Sequence, residues 1–174
     1  MFAKPAQEEY PAYYHNYIQL VPAGDVLSHL EAQMEKTADL LSGLKEEQLN
    51  YRYAEGKWSI KEVLGHITET ERIMSYRALR IARGDLTSLA GYDDEAYVKE
   101  AQFEKRTISD LIGEYKAVRM STLALFKGLP EGTPKRKGYA NNGEVSANAI
   151  SYIVAGHELH HLKLVKERYL QIIE

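Results

Sequence analysis

The chain has 174 residues, 44% hydrophobic and 27% charged, with a formal net charge of −3, the proportions of an ordinary globular chain with a sizeable core. That small acidic excess removes the electrostatic case for a nucleic-acid partner, since the densest basic run is only Lys135-Arg136-Lys137. There is no cysteine, so disulfides, thiolate metal sites and cysteine nucleophiles are excluded, and a metal would have to use histidine, carboxylate or water.

Residues 1–23 begin Met1-Phe2-Ala3-Lys4-Pro5, which forms no apolar signal region, and no uninterrupted apolar run approaches the ~18 residues of a membrane span. A cytoplasmic protein with no membrane partner is the expectation. Pro5, Pro11 and Pro22 discourage a continuous helix here. Tyr10, Tyr13, Tyr14 and Tyr17 need apolar cover for their rings and a partner for each hydroxyl. The segment reads as an arm packed across the body of the domain, with the closing of a pocket or a dimer contact as the alternative.

From Asp25, a reasonable N-cap, the residues Val26, Leu27, Leu30, Met34, Ala38, Leu41 and Leu44 recur at three and four. That spacing predicts a first long helix over about 25–44, followed by a polar connection from Lys45 to Lys57. Ser59-Ile60-Lys61-Glu62 is a capping box, with Trp58 placed to staple the start of the helix. The second helix runs to about Arg83 and is stopped by Gly84. Its apolar stripe is Ile60, Val63, Leu64, Ile67, Met74, Ala78 and Ile81, and beside it runs a more polar one of Glu62, His66, Glu69, Ile73 and Arg77. Residues 84–106 read as a loop with a short helical piece around 93–101. Thr107-Ile108-Ser109-Asp110 starts a third helix that ends near Lys127, before Gly128 and Pro130. In the long connection 128–145, Asn141-Asn142-Gly143 invites a tight turn or small hairpin. Ser146 caps a fourth helix predicted to reach about Ile173.

The expected architecture is therefore all-α: an antiparallel four-helix bundle with an N-terminal arm and a short extra helix between helices 2 and 3. It forms a single domain over 1–174, the bundle occupying 25–174. Bundles build metal sites from side chains on facing helices.

Gly156-His157-Glu158-Leu159-His160-His161 holds three of the six histidines. His157 and His161 are four apart and share a helix face within the apolar stripe of Ile150, Ile153 and Val154. Buried neutral imidazoles each need a hydrogen-bond partner and protonated ones repel, and a metal ion would resolve both problems; spacing alone leaves a structural pair open. A firm site needs a third ligand. His160 lies about 60° from His157 on the far side of the helix, while His161 lies about 40° away on the near side, so His160 is a pocket residue. His66, from a facing helix, completes the best triad. Three neutral histidines suit zinc, nickel, iron or copper and leave open positions for water or substrate.

His157 to His161 also spells H-E-x-x-H, the zinc-peptidase signature in which Glu158 would be general base. The longer form of that motif needs glycine where Leu164 stands and histidine where Glu167 stands. Little chain remains after His161 to carry another ligand, and no strong strand pattern offers a peptide an edge to pair with. The peptidase reading fails.

Trp58-Ser59-Ile60-Lys61-Glu62-Val63-Leu64-Gly65-His66-Ile67, then Thr70-Glu71-Arg72-Ile73, Tyr76-Arg77-Ala78-Leu79-Arg80, Ala82-Arg83-Gly84-Asp85 and finally Ala155 to His161 together resemble the DinB-like superfamily of small four-helix metalloproteins. The resemblance covers about residues 20–172. It implies one divalent metal held by three histidines, which fall on His66, His157 and His161, with homodimers common. Characterised members include bacillithiol S-transferases, mycothiol-dependent maleylpyruvate isomerases and proteins designated metal-dependent hydrolases.

The expected function is a metal-dependent enzyme acting on a small molecule. Zinc or nickel would hold a low-molecular-weight thiol such as bacillithiol as its thiolate, since coordination deprotonates a thiol near neutral pH and a chain without cysteine must borrow its sulfur. The alternatives are a hydrolase using metal-bound hydroxide, with Glu158 or His160 as proton carrier, and a non-enzymatic stress protein stabilised by its metal. Glu69 or Glu158 could orient a histidine ring. Arg72 and Arg77 either hold a substrate carboxylate or pair with Glu69 and Glu71.

Overall fold

A computed structural model describes residues 2–170. The four long helices are α2 (Val26–Ser42), α4 (Ile60–Ala82), α6 (Ile108–Lys127) and α7 (Ala147–Leu164), and α7 continues as one π-helical segment, Val165–Leu170. The expected end of the last helix near Ile173 lies outside the described residues. Three shorter helices complete the set: α1 (His15–Leu20), α3 (Glu46–Asn50) and α5 (Asp94–Ala101).

Each long helix starts where its capping chemistry says it should. The backbone N–H of Ser28 donates to the Asp25 carboxylate at 2.9 Å, that of Asp110 to Thr107 Oγ1 at 3.2 Å and that of Ala149 to Ser146 Oγ at 2.9 Å. Ser59 and Glu62 form the full capping box, with Ser59 N–H donating to Glu62 Oε2 at 2.6 Å and Glu62 N–H to Ser59 Oγ at 3.3 Å. Such caps satisfy N–H groups that the helix itself leaves unpaired.

The packing fixes the direction of each helix. Val26 and Leu30, early in α2, share one apolar cluster with Ala78 and Ile81 late in α4, Leu123 and Phe126 late in α6, and Ala149 to Ala155 early in α7. Leu41, late in α2, shares a second cluster with Ile60 and Leu64, with Leu111 and Tyr115, and with Val165 and Tyr169. Helices α2 and α7 therefore run one way, and α4 and α6 the other. Both α2 and α4 pack against α6 and α7, so the consecutive helices α2 and α4 lie on a diagonal. The expected antiparallel packing holds along the α2–α6 and α4–α7 seams, and the other two seams are parallel. A parallel α4–α6 pair obliges the chain to travel back along the bundle between them. Residues 83–107, with α5 inside, make that crossover.

The connection before α7 contains a hairpin, β1 (Lys137–Ala140) and β2 (Gly143–Ser146), closed by Asn141 and Asn142 at φ 48° and 62°. Two left-handed residues make the turn that suits the twist of a two-residue hairpin, and asparagine tolerates them. Leu89 in the crossover donates its N–H to the Tyr139 carbonyl at 2.9 Å and accepts from Asn141 N–H at 3.0 Å, so hairpin and crossover are tied together. The arm does lie across the bundle, and it carries a helix: α1 falls between Pro11 and Pro22, clear of both, and packs along α7.

Candidate metal centre

His66 projects from α4 and His157 and His161 from α7, across the antiparallel seam, and one ring nitrogen from each lies within 4.8 Å of the other two. His66 Nε2 is 3.0 Å from His157 Nε2, and His161 Nε2 is 3.1 Å from that same atom. A neutral imidazole Nε2 is either a donor or an acceptor with a single lone pair. The Nε2 of His157 can therefore satisfy one of these two neighbours and not both. Three nitrogens placed ~2.0–2.1 Å from one zinc ion would stand roughly 3.3 Å apart in tetrahedral geometry, close to the spacing found. The donor set fits a metal.

The protonation states fit as well. Burial pushes His66 down from 6.5 to about 4 and His161 to about 3. His157, buried between the other two, is driven well below its ordinary value by burial first and then by its three neighbouring histidines. All three rings are thus neutral near pH 7, the form in which imidazole binds metal.

Aromatic rings crowd the cluster. The Trp58 ring lies 4.7 Å from that of His66 and stacks on His161 at 6.5 Å, while Tyr17 meets His157 edge-on at 5.4 Å and His160 at 5.3 Å. Beside the cluster opens a cavity of about 340 Å³ whose wall includes Tyr17, Thr70, Arg77, Tyr92, Asp94 and Asn141. Thr70 Oγ1 and the Tyr92 hydroxyl are hydrogen-bonded at 2.6 Å, and burial raises the Tyr92 pKa, keeping the phenol neutral. A larger groove of about 690 Å³ runs between α2 and α7 along Lys36, Leu40 and Lys163, and none of the histidines lines it.

The remaining expected residues separate. Glu158 turns away from the cluster into the bundle centre, fully buried, where Thr37 Oγ1 and Tyr115 OH donate to one of its oxygens at 2.5 and 2.6 Å and Arg119 donates to the other at 2.6 Å. Both of its oxygens are thus engaged by the core, on the side of α7 away from the histidines. His160 is half-buried against Tyr17 and stands 5.2 Å from the His161 ring, beside the cluster and outside it. Arg72 pairs with Glu114 at 2.6 Å, on the surface, and Glu71 pairs with Arg119 at 2.8 Å in the core. Glu69 does not line the cavity; one of its oxygens is buried without a partner among the described residues, and burial raises its pKa. Arg77 does line the cavity.

The sequence does not single out Trp58, Tyr92 or Asp94 as parts of this wall: Trp58 reads as a helix staple, while Tyr17 belongs to an arm for which packing is the first reading and closure of a pocket the second. Asp94 and Tyr92 sit in the crossover, where no periodicity singles out a residue. The tyrosine-rich arm was the one available signal, because rings needing cover and hydroxyls needing partners suit the rim of a pocket.

A family model described as the DinB superfamily matches residues 29–165. A protein of Oceanobacillus iheyensis named "Putative metal-dependent hydrolase" is 23% identical over 142 residues, covering 80% of this chain and 81% of that one. YfiT of Bacillus subtilis, described as a probable metal-dependent hydrolase with an unusual four-helix bundle topology, superposes with a TM-score of 0.71 over 98% of this chain and 94% of its own, at 20% identity. A mycothiol-dependent maleylpyruvate isomerase superposes with a TM-score of 0.67 over 84% of this chain and 62% of its own, at 12% identity. At these identities the structural likenesses speak to the fold alone.

Proposed function

We propose, from the premise that the chain belongs to the DinB superfamily, that it is a metal-dependent enzyme whose divalent ion, zinc or nickel, is held by His66, His157 and His161. The observation that carries this reading is the pair of Nε2–Nε2 contacts at 3.0 and 3.1 Å to one atom, which hydrogen bonding alone cannot satisfy. When bound, such an ion supplies a Lewis acid and lowers the pKa of a coordinated thiol or water.

The favoured co-substrate is a low-molecular-weight thiol directed at a small electrophile. Water as nucleophile calls for a carboxylate or histidine to accept its proton, and the carboxylate nearest in sequence, Glu158, has both oxygens engaged by the core. A thiol starts from a pKa of about 8.5 against about 15.7 for water, so coordination would leave it as thiolate at neutral pH with its proton released to solvent. Trp58 and Tyr17 keep water from the histidine rings, and Thr70 and Tyr92 present hydroxyls to the bound molecule. The mycothiol-dependent isomerase of the same fold supports this reading. A second reading, hydrolysis, is supported by the names of the Oceanobacillus and Bacillus proteins and by Asp94, whose carboxylate lines the cavity and whose charge His66 feels; Asp94 is then the proton acceptor.

Elemental analysis of untagged protein tests the metal first. Wild type should hold one divalent ion per chain, and His66→Ala and His157→Ala should each hold far less while remaining folded; equal content in all three ends the proposal. The loaded protein is then incubated with bacillithiol, mycothiol or cysteine and a model electrophile. Acceleration over the thiol alone supports transfer. No acceleration, together with ester or amide hydrolysis that Asp94→Asn abolishes, replaces it with the second reading.

A further inference from the structure

The molecule buries two arginines in different ways. Arg119 is wholly buried and held by two carboxylates, Glu71 at 2.8 Å and Glu158 at 2.6 Å. Arg77 is 3% exposed, and no carboxylate among the described residues forms an ion pair with it. Its Nη2 donates to the Ala90 carbonyl at 2.6 Å, its Nη1 reaches only the Met74 sulfur at 3.7 Å, and its guanidinium lies 6.0 Å from the Tyr92 ring centre. A guanidinium has five N–H donors, and removing its charge from water is costly unless an anion answers it. Arg77 lines the cavity that the histidines share.

Its position on α4 sets the scale. Arg77 is eleven positions after His66, about 20° around the helix and roughly 16 Å along it. Thr70, between them, lies about 40° from His66, so the three residues occupy one face. The His66 and Arg77 side chains both lean toward the N-terminus, the longer arginine by more, which brings the guanidinium back toward Thr70 and leaves roughly 13 Å to the histidine nitrogens. Asn141 and the Thr70–Tyr92 hydroxyl pair border the span between.

We infer that Arg77 anchors a carboxylate at the far end of the molecule bound at the histidine centre, so that this cavity selects small molecules bearing an anionic group about six to eight bonds from the reacting atom. This inference rests on the proposed metal-dependent reading for the near end of the ligand. Arg77 is a specificity determinant: a bidentate guanidinium–carboxylate contact fixes both charge and orientation.

The probe is suberic acid monohydroxamate, whose hydroxamate grips a metal and whose carboxylate stands at the far end of a chain of six methylenes, compared with the analogue in which a primary amide replaces that carboxylate. Calorimetry on zinc-loaded wild type should give the acid about tenfold or greater preference over the amide. In Arg77→Gln the preference should fall to about one while the affinity for the amide stays at the wild-type value, and Arg77→Lys should restore part of the preference. A preference that survives in Arg77→Gln overturns the inference. So does an equal loss for both compounds, which would mean that Arg77 merely shapes the cavity through Ala90. If wild type retains no zinc, the metal reading fails separately, and Arg77 is judged on the metal-free protein by suberate quenching of Trp58 fluorescence. Saturable quenching that Arg77→Gln abolishes supports the inference; its absence in wild type overturns it.

Discussion

His157 and Glu158 leave α7 about 100° apart, and that angle sends one into the histidine cluster and the other into the ion-paired core. Glu158 is fully buried against Arg119, Tyr115 and Thr37, and burial together with the Glu158 charge drives the Tyr115 phenol well above its ordinary pKa, so it remains a donor. Removing one member of a buried charge network strands the others, at a cost of about 3–5 kcal/mol. Urea denaturation of Glu158→Gln should show a loss of that order, while the folded variant keeps its metal content; undiminished stability with abolished activity would return Glu158 to the reaction. The histidines make a pH prediction. His66 and His161 have folded pKa values of about 4 and about 3 against 6.5 unfolded, so between those values the unfolded chain binds more protons and stability must rise with pH. Their contribution is whole above pH 6.5 and is lost as pH falls toward about 4. Chemical denaturation of metal-free protein from pH 7.5 to 4 should show that decline, and His66→Ala should show a shallower one.

At the scale of the element, α7 departs from the amphipathic stripe that its sequence suggested. Every residue from Ala147 to Glu158 is buried, because α1 of the arm covers the side that would otherwise face water. Gly156 makes this possible: a Cβ there would stand 2.0 Å from the Tyr17 carbonyl oxygen and 2.4 Å from its carbon. Backbone cannot yield as a flexible side chain does, so Gly156→Ala should lift the arm, with a stability loss of about 1–3 kcal/mol and new protease cleavage near residues 15–20. Gly113 on α6 is the control, since a Cβ there meets nothing within 4 Å. Gly113→Ala should raise stability by up to about 1 kcal/mol through helix propensity, and thermal melts of the two variants should move in opposite directions. Gly65 works like Gly156: a Cβ would fall 2.4 Å from the Phe103 ring, and its absence lets the crossover pack one residue from His66.

Across the whole molecule, the histidine cluster bridges α4 and α7 along an antiparallel seam, between the two apolar clusters. A ligand bound only by the folded state stabilises it by RT ln(1 + [L]/Kd), about 4 kcal/mol at a thousandfold excess over Kd. For a chain of this size each kcal/mol moves Tm by about 2–4 °C. Chelation should therefore lower Tm by roughly 10 °C, and zinc or nickel should restore it in wild type and not in His161→Ala. An unchanged Tm on chelation would leave the helices with no metal between them to lose. No helix among the described residues is long and apolar enough to cross a membrane.

The sequence by itself determined the four long helices, their N-caps, the hairpin turn at Asn141–Asn142 and the helix face that His157 and His161 share. These rest on interactions within about four residues of chain, or on a helix period that puts side chains on a known face. What only the tertiary structure decided was how those faces are shared. The diagonal placement of α2 and α4, the closing of the cavity by Tyr17, Tyr92 and Asp94, and the claim of Arg119 on Glu158 all join residues far apart in the chain. A carboxylate beside a histidine reads locally as a proton carrier; whether it faces the metal centre or a buried arginine is settled by which helix packs against its side of α7.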